Sequence, residues 1–416
     1  MSTINLGDSA FVFISTVLVF LMTPALALFY GGMVRRKNTL NTMMSVFFIC
    51  GIASLLWVVI GYSLSFGTDH GGIIGGFNHL FFNGVGENPN SSYASTVPEG
   101  LFAAFQMMFA IITPAVVCGS LSERMKFSAL FIFIIAWSFV VYYPLAHMVW
   151  GQGGFLRELG AIDFAGGNVV EISSGISGLV ACIVLGKRRG YGLMSYKSHN
   201  VPFVVLGAGL LWFGWFGFNA GSAYSINGIA VHAFMTTNTS AATALLSWML
   251  IEKVKYGKTT IMGAATGAII GLVAITPGAG YVPIWASIII GGLISPICFF
   301  FISKVKAKFG YDDALDAFGC HGISGIWGGI ATGLFANRSI NPAIKWNGLV
   351  YGETKLFGVQ LISIVISILV AAVGTFVIMS VLKKFKTIRV SQADEAQGLD
   401  ISEHSESAYP AFTGLD

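Results

Sequence analysis

The sequence predicts an all-α integral membrane protein of eleven transmembrane helices, built as two inverted five-helix repeats plus an extra C-terminal helix. Three observations carry that reading. Apolar segments of about 20 residues, the length that crosses roughly 30 Å of hydrocarbon as helix, recur along the whole chain. Basic residues gather in alternate loops. A polar frame, Asp163 with Glu171 eight residues later, returns as Asp313 with His321.

The composition points the same way. The chain is 55% hydrophobic and 10% charged with a mean hydropathy of +0.76, whereas soluble domains are about one-quarter charged. We therefore read one polytopic domain and no soluble one. Its 52 glycines suit helices that approach closely in a membrane. The five cysteines, Cys50, Cys118, Cys182, Cys298 and Cys320, all lie in apolar segments and read as packing residues, neither disulfides nor a metal site. No cofactor is expected. The net charge of +4 serves topology and implies no nucleic-acid patch. No Lys or Arg precedes Arg35, so the chain lacks the basic start of a secretory signal and the first helix is expected to be retained.

Taken in order, the spans fall at about 9–31, 41–66, 99–119, 127–146, 165–186, 201–223, 229–251, 260–276, 281–303, 317–336 and 353–382. Loops after odd-numbered spans hold 19 of the Lys and Arg residues, and the rest of the chain holds only Arg157, Arg338, Lys345 and Lys355. The positive-inside rule then puts the N-terminus outside and the C-terminus in the cytoplasm, in a cell membrane. Residues 1–389 form the membrane domain, with inverted repeats at about 9–186 and 201–336 and the extra helix at about 353–382.

This topology tests the repeat. Span 5 runs inward from Asp163 and span 10 runs outward from Asp313. Eight helical residues rise about 12 Å, so Glu171 and His321 reach nearly the same depth from opposite faces. Both are followed by glycine at +4 and +7: Gly175 and Gly178, Gly325 and Gly328. Inverted repeats place transport sites at their interface. A second register is open, because Gly-Ile-Ser-Gly occurs at 175–178 and at 322–325 and aligns the halves three residues differently. Two segments lie outside the spans. Residues 67–98 form a Gly- and Asn-rich loop with no evident task, and residues 390–416 are polar and acidic, a composition that by itself reads as disordered.

An ionisable residue inside a span is costly and marks a functional site by default. Glu171 and His321 are two such residues at matching depth, and their protonation is expected to be coupled. Asp163 either caps the first turn of span 5 or touches a cation directly. Phe105, Phe109, Trp150, Phe218 and Ser222 flank these polar residues, but among 34 phenylalanines spacing alone identifies no cage.

Five strings now carry a resemblance: Tyr30-Gly31-Gly32-Met33-Val34-Arg35, Ala146-His147-Met148-Val149-Trp150-Gly151, Asp163-Phe164-Ala165-Gly166-Gly167, the run from Gly214 to Ser222, and Asp316-Ala317-Phe318-Gly319-Cys320-His321-Gly322. In order and content they resemble the ammonium transporter family (Amt/Mep/Rh), from the first span through the tail. The resemblance implies a homotrimer in the lipid bilayer, each protomer with its own narrow pore. It implies that Trp150, Phe105 and Ser222 form an outer recruitment site, that Phe109 and Phe218 are a stacked gate beneath it, and that Asp163 is the structural acid of that mouth. A Trp face attracts a small cation and a hydroxyl accepts its N–H bond.

One position departs from the family's pore histidine pair, since Glu171 stands where the first His is usual and His321 keeps the second. A similar variation occurs in some fungal members. The mechanism expected is ammonium deprotonated near Phe218, with ammonia and the proton then passing Glu171 and His321 in separate steps, so that net charge moves. The resemblance extends to Glu395, Gly398, Leu399, Asp400, His404, Glu406, Ala408 and Tyr409. It implies a tail packed under the cytoplasmic face beside the loop Gly186 to Gly192, with a PII-type signal protein as a plausible regulator.

Three other readings stay open. A passive ammonia or gas channel of the Rh type is the nearest, although the Trp150 and Ser222 pair suits a cation better than a neutral gas. An ammonium sensor usually carries an appended signalling domain, and here 34 residues follow span 11. An intramembrane serine protease would use Ser177 or Ser324 with His321 as base, but Ser-Gly pairs are the ordinary packing choice of membrane helices. The expectation is a transporter and no enzyme.

Overall fold

A computed structural model of the chain describes residues 4–409, and among these residues eleven helical rods stand where the sequence places eleven spans. Eight are long and apolar enough to cross a membrane: Leu6–Met33, Arg36–Phe66, Glu99–Leu121, Phe127–Leu159, Gly167–Leu185, Val201–Gly221, Ile284–Phe309 and Lys355–Phe385. The other three are span 7 (Gly228–Tyr256), span 8 (Ile261–Ile275) and span 10, where Phe318–Gly322 runs into Ile323–Phe335. Span 8 is short but buried along nearly its whole length, so it meets protein, as spans 3 and 5 largely do. Around the outside, large apolar side chains such as Phe13, Val17, Phe20, Leu361, Val365 and Leu369 stand exposed, as lipid-facing residues do.

The inverted repeat is visible in three ways. Span 1 and span 6, the first helix of each half, pack antiparallel through small residues: Gly207 lies against Ala25 and Phe29, Gly214 against Leu18 and Met22, and Gly217 and Gly221 against Ser15. Wide π-type turns occur in span 4 (Ser138–Tyr142) and span 5 (Gly167–Ile172), and again in their counterparts, span 9 (Phe301–Val305) and span 10 (Phe318–Gly322). Such turns often mark functional sites, and Glu171 and His321 sit inside the second and fourth of these.

The third sign settles the register. Asp163 accepts backbone N–H bonds from Gly167 and Asn168, four and five residues on, and Asp313 accepts them from Ala317 and Phe318, at the same two offsets. Contacts between the halves are reciprocal in that frame. A side chain at Gly325 would meet the Glu171 Cβ, and one at Gly175 would meet the backbone of His321 and Gly322. The Asp frame is therefore the structural one, and the Gly-Ile-Ser-Gly strings match only as packing surface. Ser177 Oγ accepts from Trp137 Nε1 and Thr375 Oγ1, both at 2.8 Å, and Ser324 pairs with Cys298. Neither faces His321 as a nucleophile would.

The loop 67–98 is not featureless. It folds into two small antiparallel hairpins, Asp69–His70 with Ile74–Gly75 and Pro89–Asn90 with Ala94–Pro98, an element that the all-α expectation omits. These hairpins cover the face opposite the basic loops.

On the basic face a buried ion network ties four connections together. Arg188 bonds both oxygens of Asp312 and, at 2.7 Å, Glu123 Oε2, while Arg35 Nε reaches Glu123 Oε1 at 2.8 Å. Burial alone would raise the Glu123 and Asp312 carboxyls, but the facing Arg188, with Arg35 and Arg124, more than offsets it and holds both below their ordinary range.

The tail docks here, against its disorder-like composition. Asp400 Oδ1 accepts from Asn41 N at 2.8 Å, which caps the start of span 2, and Glu403 Oε2 accepts from Phe127 N at 2.9 Å, which caps span 4. Glu395 receives Arg389 and the backbone N of Arg189, His404 meets Asn41, and the Tyr409 hydroxyl sits 3.1 Å from His199. The tail orders because it satisfies helix ends that have no partner of their own. Positions 1–3 and 410–416 of the chain and tail expectations lie outside the described residues.

Candidate functional site

On the face away from the basic loops, a cavity of about 660 Å³ opens among Trp150, Asp163, Phe164, Ser222, Tyr224, Tyr93 and Phe102. Trp150 ends span 4, Ser222 follows span 6, and Asp163 precedes span 5. Trp150 is held by its edge. Its Nε1 donates to the Asp163 carbonyl at 2.9 Å, and Arg157 donates to the Trp150 carbonyl at 2.7 Å. Ser222 Oγ donates to the Phe218 carbonyl at 2.8 Å, so its lone pairs remain for another donor.

Asp163 is a capping residue. Its two oxygens accept from Gly166, Gly167, Asn168 and Val169. Gly166, at φ 113°, provides the left-handed turn that points those N–H groups back at the carboxylate. All of the hydrogen bonds that the carboxylate accepts come from backbone N–H groups.

Next to the cavity, against Trp150, lies an aromatic stack. The Phe109 and Phe218 rings stack at 4.3 Å, Phe105 meets Phe109 edge-on at 5.0 Å, and Phe109 meets Trp150 edge-on at 6.0 Å. Phe105 is fully buried behind Phe109 and Tyr224 and is not part of the cavity wall.

Beneath this stack lies a chamber of about 20 Å³, walled by Phe218, Trp215, Val170, Ile112 and Leu211 and by the pair Glu171 and His321. It has room for about one water-sized molecule. His321 Nδ1 and Glu171 Oε2 stand 2.7 Å apart and both side chains are buried. One hydrogen is shared across that bond. With Nδ1–H donating to an ionised Glu171 and a neutral ring, Nε2 is an acceptor; one further proton taken at Nε2 makes it a donor, whichever of Nδ1 and the carboxyl then holds the shared hydrogen.

The residues named from sequence are thus collected into one vertical series: Trp150 and Ser222 above, Phe109 and Phe218 between, Glu171 and His321 below. Sequence reading missed Arg157, Tyr93, Gln106, Tyr224 and Trp215. Gln106 bonds Tyr224 at 2.6 Å on the cavity wall, and Trp215 donates to Thr276 beside the chamber. No spacing signal marks them, since each reaches the site from a different span or loop.

A profile of the Ammonium Transporter Family matches residues 10–409. This chain belongs to the ammonium transporter family. It is 50% identical over 405 residues to "Ammonium transporter" of Bacillus subtilis (strain 168), covering 97% of this chain and 99% of that one. It is 43% identical over 405 residues to "Ammonium transporter Amt1" of Archaeoglobus fulgidus, again covering 97% and 99%. Among solved structures, the ammonium transporter fold described above superposes on Mep2 of Saccharomyces cerevisiae with a TM-score of 0.88 at 34% identity, over 93% of this chain and 88% of that one. A structure described as a sensor Amt protein matches with a TM-score of 0.88 at 26% identity, over 96% and 98%.

Proposed function

We propose that this chain moves ammonium across the cell membrane as ammonia plus a proton, with net charge, through one pore in each protomer of a homotrimer. The N-terminus is external and the basic face cytoplasmic. Ammonium is held at the outer cavity by the Trp150 face and the Ser222 hydroxyl, with Phe105 behind, and Asp163 keeps the shape of the mouth. Passage needs the Phe109 and Phe218 rings to part. Below them ammonium gives up one proton and leaves as ammonia, and the Glu171 and His321 pair accepts that proton and returns one to the cytoplasmic side.

The observation that carries this reading is the direct Glu171 to His321 hydrogen bond on the wall of a chamber sized for one small molecule. A group joined to a ring whose far nitrogen switches between donor and acceptor can relay a proton beside ammonia. Residues 390–416 act as a cytoplasmic regulatory tail, and its contacts with Lys37, Asn41, Arg189 and His199 give a PII-type protein a surface through which to reach the loops.

The test is the transient current after an ammonium jump across proteoliposomes of pure protein, repeated with potassium and methylammonium at several pH values. A saturable ammonium current, weak for potassium, supports the proposal. Rapid internal alkalinisation without current would mean that neutral ammonia passes, as in a gas channel.

A further inference from the structure

Resting on that reading, we propose that Lys306 is a tethered ammonium group that fills, at the inner mouth, the place beside the Asp carbonyl that the Trp150 N–H fills outside, and so keeps the pore from recapturing ammonium at its cytoplasmic mouth. The repeat supplies the comparison. Its pseudo-twofold relates span 4 to span 9, span 5 to span 10, and Asp163 to Asp313, whose carboxylates cap N–H groups at the same offsets. It therefore relates the outer mouth to the inner one.

At each mouth the backbone carbonyl of this Asp is held by a side chain from the end of the preceding span. Outside, Trp150 Nε1 donates to the Asp163 carbonyl at 2.9 Å. Inside, Lys306 Nζ donates to the Asp313 carbonyl at 2.6 Å. The chemistry differs in the one respect that matters to a cation. An indole that spends its N–H on a carbonyl keeps its ring face to attract a cation. A lysine that does the same is itself an ammonium group, with three N–H donors on one positive nitrogen.

Lys306 is fixed in this position. Its Nζ also pairs with Asp316 Oδ1 at 2.6 Å, and Asp316 holds φ +57°, a left-handed conformation rare for a residue with a side chain. The neighbours Lys304 and Lys308 point out to water, while the Lys306 side chain is only 16% exposed. Basic-face topology does not require the inward turn, since two lysines beside it already serve that purpose. The acceptors that could bind a cytoplasmic ammonium ion, the Asp313 carbonyl and the Asp316 carboxylate, are both engaged by Lys306.

The test compares ammonium-evoked currents of right-side-out and everted membrane vesicles containing the full chain. For the wild type, the half-saturating ammonium concentration at the cytoplasmic face should exceed that at the outer face by about tenfold or more, the worth of about one charge-assisted hydrogen bond whose acceptor is already taken. Lys306→Met should lower the cytoplasmic value about tenfold, by freeing those acceptors, and leave the outer value unchanged. Lys306→Arg, which keeps the charge, should retain the wild-type asymmetry. If Lys306→Met fails to fold, Lys306→Gln, which keeps a donor for the Asp313 carbonyl and frees the Asp316 carboxylate, should show the same lowering. Equal half-saturation at both faces of the wild type, or an asymmetry untouched by the folded neutral variants, overturns the inference alone. Absence of any saturable outer-face current in the wild type would instead overturn the proposed function beneath it.

Discussion

Glu171 and His321 come from opposite halves of the chain and meet at 2.7 Å, the carboxylate Oε2 against the imidazole Nδ1, each inside a wide turn of its own repeat. The bond makes the two a single proton-holding unit. Glu171→Gln keeps the shape but ends exchange of a proton with the ring. Ammonium currents should then fall by about a hundredfold or more, in the range for loss of one positioned acid–base group, and lose their pH dependence. Currents of wild-type size and pH profile would remove the role given to the carboxyl.

The 4.3 Å stack of Phe109 on Phe218 stands between Trp150, on the wall of a wide cavity, and a chamber of about 20 Å³. Phe218→Ala should join the two spaces. The expected outcome is a potassium current absent from the wild type, with a stability loss of about 3–5 kcal/mol typical of emptying a buried Phe site. Ion-replacement currents and thermal unfolding in detergent measure the two effects separately.

Trp150 has its N–H tied to Asp163 and its ring at the cavity, so its replacement should weaken recruitment and spare later steps. Trp150→Leu is expected to raise the half-saturating ammonium concentration by about threefold to thirtyfold, the range of a partly desolvated cation–π contact. The maximal current should change less. An unaltered half-saturation would place recruitment elsewhere.

Arg188 lies between Glu123 and Asp312, with its side chain 4% exposed and theirs fully buried. Arg188→Met strands two buried carboxylates and should cost about 3–5 kcal/mol. The pH dependence has a definite sign. Both carboxyls are held below their ordinary values of 4.5 and 3.8, so their stabilisation is present above about pH 4.5 and is lost as pH falls through the depressed folded values. Unfolding temperature in detergent should drop on acidification below that point, and less steeply in Arg188→Met, where the charge facing both carboxyls is gone and only Arg35 and Arg124 still hold them down.

How much of this was legible beforehand differs element by element. The span ends were readable within a few residues because hydrocarbon thickness and backbone dehydration act on each segment separately. The repeat was readable because Asp163 and Asp313 cap their own helices, a local interaction written in local spacing. The composition of the tail did not show its docking, which only the family resemblance implied, because its order comes from Asp400 and Glu403 capping spans hundreds of residues away. The loop 67–98 was opaque for the same reason: Arg157 pins it by donating to Ser92 and Trp150 together.

The sequence by itself determined the eleven membrane crossings, the alternation of basic loops and the pairing of Glu171 with His321 at one depth, since each follows from hydropathy, charge and helical rise along a single segment. Only the tertiary structure decided which of 34 phenylalanines stack, that Asp163 spends its charge on backbone, and that Lys306 turns inward to the Asp313 carbonyl. Those outcomes depend on which side chains arrive from other spans, and helix packing through small residues sets that partner choice only when the two halves close on each other.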